Sequence, residues 1–169
     1  IYSNYRDFVA DHRLNVTHLY RKSPPDLADL MRRARAGQVN AFNLINLPTR
    51  AYSQIELRAI GDVLEANVDS LRQMGLVNKA FIYGFDEAPA PDFVHLREAF
   101  GYMKKRFPDV KTMTTAKDPS FGIESGLDAV VDIWVALTAY YDTSIADEAR
   151  LRGKEVWWYI CIAPTHPFA

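Results

Sequence analysis

Hydrophobic positions along this chain alternate between short unbroken runs and stretches spaced by three and four residues, the marks of buried strands and amphipathic helices. Tyr5, Phe8 and Val9 predict a helix over Ser3–Arg13, and Val16–Tyr20 follows as a short strand. Ser23-Pro24-Pro25-Asp26 reads as a helix start, with Ser23 as cap and Pro24 at the first helical position. Leu27, Leu30, Met31 and Ala34 then face the core until Gly37. Ala41–Leu47 is a strand stopped by Pro48. Ser53 and Glu56 form a capping box for a long helix carrying Leu57, Ile60, Leu64, Val68 and Leu71 on one side and ending at Gly75.

Ala80–Phe85 is apolar and aromatic throughout, the composition of a strand buried on both faces. Phe93, Leu96, Phe100, Met103 and Phe107 then mark an amphipathic helix broken by Pro108-Asp109. Lys111–Ala116 is a strand, Lys117–Ala129 a polar loop, and Val130–Leu137 a strand. Thr143–Arg152 is a helix ended by Gly153, and Glu155–Ala163 is the last strand. Strands alternating with helices in this way predict βαβ units and a parallel sheet in a single α/β domain spanning residues 1–169. Two architectures suit six strands and five helices: an open doubly wound sheet, or a (β/α)₈ barrel that is incomplete, since full barrels need at least ~200 residues. The chain opens on a helix and stops just after a strand, as expected of a barrel lacking its first and last strands.

Charge narrows the partners. The net charge is -1, from 20 basic and 21 acidic residues with no long run of either sign, which argues against nucleic acid or an acidic membrane surface. No apolar run reaches the ~18–20 residues that span a bilayer. A single cysteine, Cys161, excludes an internal disulfide and reads as a small core residue of the last strand. The Asn15-Val16-Thr17 sequon abuts a strand and reads as incidental.

The strand Ala80–Phe85 runs into two adjacent acids, Asp86 and Glu87, and then a proline-rich break. Neighbouring strand residues point to opposite faces, so two such acids share a pocket only where the strand loosens into its loop. Paired carboxylates suit acid/base chemistry, because repulsion and burial leave one protonated beside an ionised partner. The alternative is that both acids cap the helix beginning near Pro91. His12, His18, His95 and His166 show no metal-ligand spacing, the serine of Gly122–Gly126 lies one place off a nucleophile elbow, and no phosphate-cradling glycine loop is present. No metal, nucleotide or other cofactor is therefore expected.

Four segments occur in order: Tyr83-Gly84-Phe85-Asp86-Glu87-Ala88-Pro89; Phe107-Pro108-Asp109-Val110-Lys111 with Thr114-Thr115; Asp132-Ile133-Trp134-Val135; and Gly153-Lys154-Glu155-Val156-Trp157-Trp158-Tyr159-Ile160-Cys161. Together they resemble the catalytic domain of glycoside hydrolase family 123 and its uncharacterised relatives, over roughly Lys79–Ala169. Ala136 stands where relatives often carry proline. The resemblance implies a (β/α)₈ barrel acting on β-linked N-acetylgalactosamine or a related N-acetylhexosamine by substrate-assisted, retaining hydrolysis. It sets Asp86-Glu87 at the end of the fourth barrel strand, makes Val16–Tyr20 the second and Glu155–Ala163 the seventh, and leaves the first and eighth outside the chain.

In the implied mechanism Glu87 is the general acid and base, which calls for a raised pKa. Asp86 stays ionised and orients the 2-acetamido group, and no protein nucleophile is needed. Tyr159 is the candidate for steadying the acetamide oxygen, and Trp134 and Trp157 are either sugar-stacking aromatics or plain barrel core. Two other functions compete: a sugar-binding or structural barrel without turnover, and an open α/β domain with no carbohydrate role.

Overall fold

The computed structural model describes residues 2–12, 14–15 and 17–161. Helices α1 (Tyr2–Asp11) and α2 (Leu27–Arg35) precede strand β1 (Phe42–Leu47), helix α3 (Gln54–Gln73) and strand β2 (Ala80–Gly84). Helix α4 (Phe93–Arg106), strands β3 (Lys111–Thr114) and β4 (Ile133–Leu137), helix α5 (Thr143–Leu151) and strand β5 (Glu155–Tyr159) complete the order. The five strands form one parallel sheet in the order β1-β2-β3-β4-β5. A doubly wound sheet reverses its strand order partway; this one does not, and the doubly wound alternative is set aside.

Strand pleating sorts the apolar side chains onto two faces. One face, with Leu44, Ile82, Trp134 and Val156, packs with Leu30 of α2, Leu57, Leu64 and Val68 of α3, Leu96, Phe100 and Met103 of α4, and Ala146 and Ala149 of α5. On the other, Phe81, Tyr83, Met113 and Ile133 cluster with Leu19, Val135 and Trp157 and with no helix residue. The α3 capping box forms as expected, Ser53 Oγ accepting from the Glu56 amide at 3.2 Å and Glu56 Oε2 from the Ser53 amide at 2.8 Å.

Several expected boundaries move. Asp26, not Ser23, caps α2, accepting from the Asp29 amide at 2.8 Å; a residue before proline is pushed out of helical geometry, so Pro25 bars a start at Pro24. In α1, Tyr5 and Phe8 are exposed despite their helical spacing. The last strand ends at Tyr159, Cys161 is exposed rather than in the core, and 162–163 lie outside the described residues.

The expected strand at Val16–Tyr20 is not one: Val16 lies outside the described residues, and 17–20 run beside β1 without forming a strand. Side chains supply most of the links there. Thr17 Oγ1 accepts from the Asn43 amide at 3.1 Å and Asn43 Nδ2 donates to the Leu19 carbonyl at 2.6 Å, while one main-chain bond joins the Asn46 amide to the Arg21 carbonyl at 2.9 Å. Asn43 also resolves a bulge. Between Asn43 and Asn46, β1 spends three steps against two in β2, and Asn43 Oδ1 takes the Tyr83 amide at 2.9 Å.

The seam between β3 and β4 is short, pairing only Met113 with Ile133 and Thr114 with Trp134. It is pinned at its lower end. Asp132 accepts from the Thr112 amide at 3.0 Å and from Lys104 Nζ at 2.7 Å, and its own amide reaches the Thr112 carbonyl at 3.1 Å.

Gly84 ends β2 where no side chain fits: a Cβ there would lie 2.7 Å from the Leu47 carbonyl oxygen and 2.8 Å from Leu47 Cβ. Because the obstacle includes backbone, Gly84→Ala is expected to lower stability by ~1–3 kcal/mol, the range for overpacking. Urea unfolding measures it, and an unchanged midpoint would show that β1 and β2 separate freely at this end.

Candidate active site

All five strands of a parallel sheet end on the same side, and there β2 hands the chain to Asp86 and Glu87. The exit is unusual: Phe85 (φ 54°) and Glu87 (φ 46°) are both left-handed, on either side of Asp86. Non-glycine residues rarely hold this region, and it persists where the surroundings impose it. They do so here. The Phe85 amide donates to the Leu47 carbonyl at 2.9 Å, its carbonyl accepts from Thr114 Oγ1 at 3.1 Å, and the Glu87 amide donates to Thr115 Oγ1 at 2.9 Å. These two turns release the acids from strand alternation.

Asp86 is held by hydroxyls. Oδ1 accepts from Tyr83 at 2.5 Å and from Thr115 at 2.7 Å, and Oδ2 accepts from Tyr20 at 2.9 Å. Asp86 is exposed overall, yet the desolvation its carboxyl does undergo is the largest single influence on it and opposes ionisation. The three hydrogen bonds and the charge of Lys117 together outweigh it and hold the carboxyl below its ordinary value. The phenols move the other way: Tyr83 is raised by burial and then by Asp86, and Tyr20 likewise. Both remain protonated donors at neutral pH.

Glu87 has different neighbours. Tyr159, at the end of β5, donates to Oε1 at 2.7 Å, and Lys117 Nζ lies 3.4 Å from Oε2. Burial, and then Glu87 and Asp86, raise the Tyr159 phenol, so it too stays protonated. Neither carboxylate caps the helix that follows. The residue preceding α4, Asp92, makes no side-chain cap, and the partners of Asp86 and Glu87 are the hydroxyls and the ammonium just named.

Beside Glu87 opens a cavity of about 420 Å³, lined by Thr115, Lys117, Trp134, Tyr140 and Tyr159 among others. Its outer wall, the loop after β3, is built on Asp118, which is 6% exposed. Oδ1 of Asp118 takes the Ser120 amide at 2.9 Å and Oγ at 2.6 Å; Oδ2 takes the Gly122 amide at 3.1 Å and Ser125 Oγ at 2.5 Å. Among the described residues, no group of three His, Cys, Asp or Glu side chains is placed to hold a metal ion.

Asp86, Glu87 and Tyr159 thus meet at one end of the sheet, and the two tryptophans do not join them in the same way. Trp134 lines the cavity but is 1% exposed and packs against Phe121, so it offers little surface there. Trp157 lies two residues before Tyr159, edge-on to Phe81, with its indole N–H bonded to Glu155 at 3.0 Å. Sequence reasoning assigned no role to Tyr20, Tyr83, Thr115, Lys117 or Tyr140. Tyr83 and Thr115 stood inside the quoted segments, and the Tyr83-to-Asp86 spacing of three was a usable signal. Tyr20 offered none, since only the fold brings it to Asp86.

A model of the glycoside hydrolase 123 catalytic domain matches residues 35–168 of the chain. Among solved structures, a family 123 glycoside hydrolase from Clostridium perfringens, described in connection with glycolipid glycan hydrolysis, superposes with a TM-score of 0.51 at 16% identity, covering 70% of this chain and 21% of that one. A protein assigned as a glycerophosphoryl diester phosphodiesterase from Silicibacter pomeroyi gives 0.49 at 14% identity, covering 80% of this chain and 45% of that one. A glycerophosphodiester phosphodiesterase-type protein from Galdieria sulphuraria gives 0.47 at 15% identity, covering 81% and 50%. The chain thus spans between a fifth and a half of the length of these structures. No curated protein sequence matches it.

A carboxyl held below its ordinary value in the folded state adds stability above the unfolded carboxyl range and loses it as pH falls through the folded value. The stability gap between wild type and Asp86→Asn is therefore expected to be widest near neutrality and to narrow below about pH 4. Urea unfolding across a pH series checks this, and a gap constant into strong acid would show that the hydroxyls do not favour the ionised form.

Proposed function

The chain belongs to the glycoside hydrolase 123 catalytic-domain family, and from that premise we propose that it carries the acid pair of a retaining glycosidase acting on β-linked N-acetylgalactosamine or a related N-acetylhexosamine. The five strands correspond in this proposal to the third to seventh strands of a (β/α)₈ barrel. Their unreversed order and the position of the acids at the C-terminal end of β2 support it. One observation carries the proposal: adjacent carboxylates have opposite surroundings, Asp86 in a cradle of hydroxyls and Glu87 on the wall of a cavity beside Tyr159.

Glu87 gives its proton to the leaving oxygen as the acetamide carbonyl oxygen bonds to the anomeric carbon and the glycosidic bond breaks. Positive charge then sits on the resulting ring, whose N–H faces the Asp86 carboxylate. A carboxylate has about four lone-pair sites, and three of those on Asp86 are taken by Tyr83, Thr115 and Tyr20. The one left lies on Oδ2 and suits the substrate N–H. Water next adds to the anomeric carbon, Glu87 takes its proton, the acetamide is released, and two inversions give net retention. Tyr159 has one hydroxyl proton, given to Glu87 in the free protein. Protonation of Glu87 weakens it as an acceptor, and the phenol then turns to the acetamide oxygen. Tyr140, 72% exposed on the cavity wall, presents more ring surface to a sugar than Trp134 does.

Hydrolysis of aryl β-N-acetylgalactosaminides tests the proposal, measured on the chain and on the chain extended at both ends. The extended protein is expected to be faster, since misplacing groups by ~1 Å costs ~10²-fold. Glu87→Gln is expected to lose ~10²–10⁴-fold with leaving groups that need protonation, and less with activated ones. Asp86→Asn should be damaging whatever the leaving group, and the matching galactoside without the acetamide should be a poor substrate. Wild-type turnover by both variants would remove the catalytic assignment and leave a sugar-binding domain. Equal cleavage of the plain galactoside would remove the substrate-assisted route.

A further inference from the structure

Thr115 stands at the junction of the two acids. Its Oγ1 donates to Asp86 Oδ1 at 2.7 Å, accepts from the Glu87 amide at 2.9 Å and lies 3.1 Å from the Tyr83 hydroxyl. Three hydroxyls bring one proton each to this cluster. Tyr83 and Thr115 both spend theirs on Oδ1, and Tyr20 spends its own on Oδ2. No proton then remains for the Tyr83–Thr115 contact, which is held together by the shared acceptor. This assignment closes only while Asp86 is ionised. A proton on the carboxyl turns one acceptor site into a donor, and a hydroxyl that faced it must rotate.

We propose that Thr115 is a positioning residue that couples the charge state of Asp86 to the placement of Glu87. While Thr115 points its proton at Asp86, its lone pairs face the Glu87 amide and hold the left-handed backbone there. That backbone sets the Glu87 carboxylate against Tyr159. The hydroxyl before it acts on the same exit, Thr114 Oγ1 donating to the Phe85 carbonyl at 3.1 Å. Consecutive threonines at the end of β3 thus fix consecutive parts of the chain leaving β2. The titratable groups facing Asp86 are Tyr20 from the N-terminal segment, Tyr83 from β2, Glu87 beside it, Lys117 from the loop after β3 and Tyr159 from β5. Among these and Thr115, only Thr115 touches both the Asp86 side chain and the Glu87 main chain. The role of Glu87 rests on the function proposed above; the coupling itself does not.

Nuclear magnetic resonance of the chain separates the two. In wild type the Glu87 amide resonance is expected to shift with the same midpoint as the Asp86 carboxyl carbon during acid titration. Thr115→Val, similar in shape but without a hydroxyl, should abolish the Glu87 response and move the Asp86 midpoint up; Thr115→Ser should restore both. Thr115→Ala is the second variant should valine disturb folding. In a protein active on the aryl substrate, valine should lower kcat by up to ~10²-fold with rescue by serine. A Glu87 amide that follows Asp86 in the valine or alanine variant, or a serine variant that behaves like valine, would overturn the coupling. Inactivity of every form alongside an intact coupling would instead count against the proposed hydrolysis.

Discussion

A carboxylate at the surface keeps one fixed orientation only when protein donors rather than water take its lone pairs, and the upper end of this sheet is arranged around that demand for Asp86, which is itself exposed. Asp86 meets it with Tyr20, Tyr83 and Thr115, which come from the segment before β1, from β2, and from the end of β3. Each donor therefore fixes a different part of the fold to one point. Tyr83 can serve because its ring is buried, at 1% exposure, in the cluster it forms with Phe81, Met113 and Ile133. Tyr20 can serve because Asn43 and Thr17 hold the segment that carries it beside β1.

Local strain belongs to the same arrangement. Two left-handed non-glycine residues in three positions would disfavour this exit in a free peptide, by of order 1–3 kcal/mol each. Hydrogen bonds from Phe85 to Leu47, from Thr114 to Phe85 and from Glu87 to Thr115 hold it in place, and all run to neighbouring strand ends. The exit is therefore a property of the assembled sheet.

Much of this was legible in the sequence. The unbroken run Ala80–Phe85 marked the buried strand, the Ser53–Glu56 spacing the start of α3, and the three-and-four stepping from Phe93 to Phe107 helix α4. The acid pair announced itself by standing at the end of a buried run. What stayed hidden depends on contacts between distant residues. Local pattern alone made 16–20 a strand, whereas Asn43 bonds the Thr17 hydroxyl and, through its side chain, the Leu19 carbonyl in place of a strand ladder. Trp134 suited a binding aromatic by composition, but pleating turns it into the helix-packed face. Spacing of carboxylates does not reveal which hydroxyls reach them, so the cradle came only with the tertiary structure.

The two-pair seam between β3 and β4 has a mechanical consequence. Asp86, Glu87 and Thr115 stand on one side of it, Tyr159 on the other, and the cavity lies astride it. The lower end is riveted by Asp132 to Thr112 and Lys104. At the upper end the bond from Tyr159 to Glu87 is a side-chain tie between the two halves of the sheet, so the cavity mouth is spanned by side chains where the strands themselves have stopped pairing.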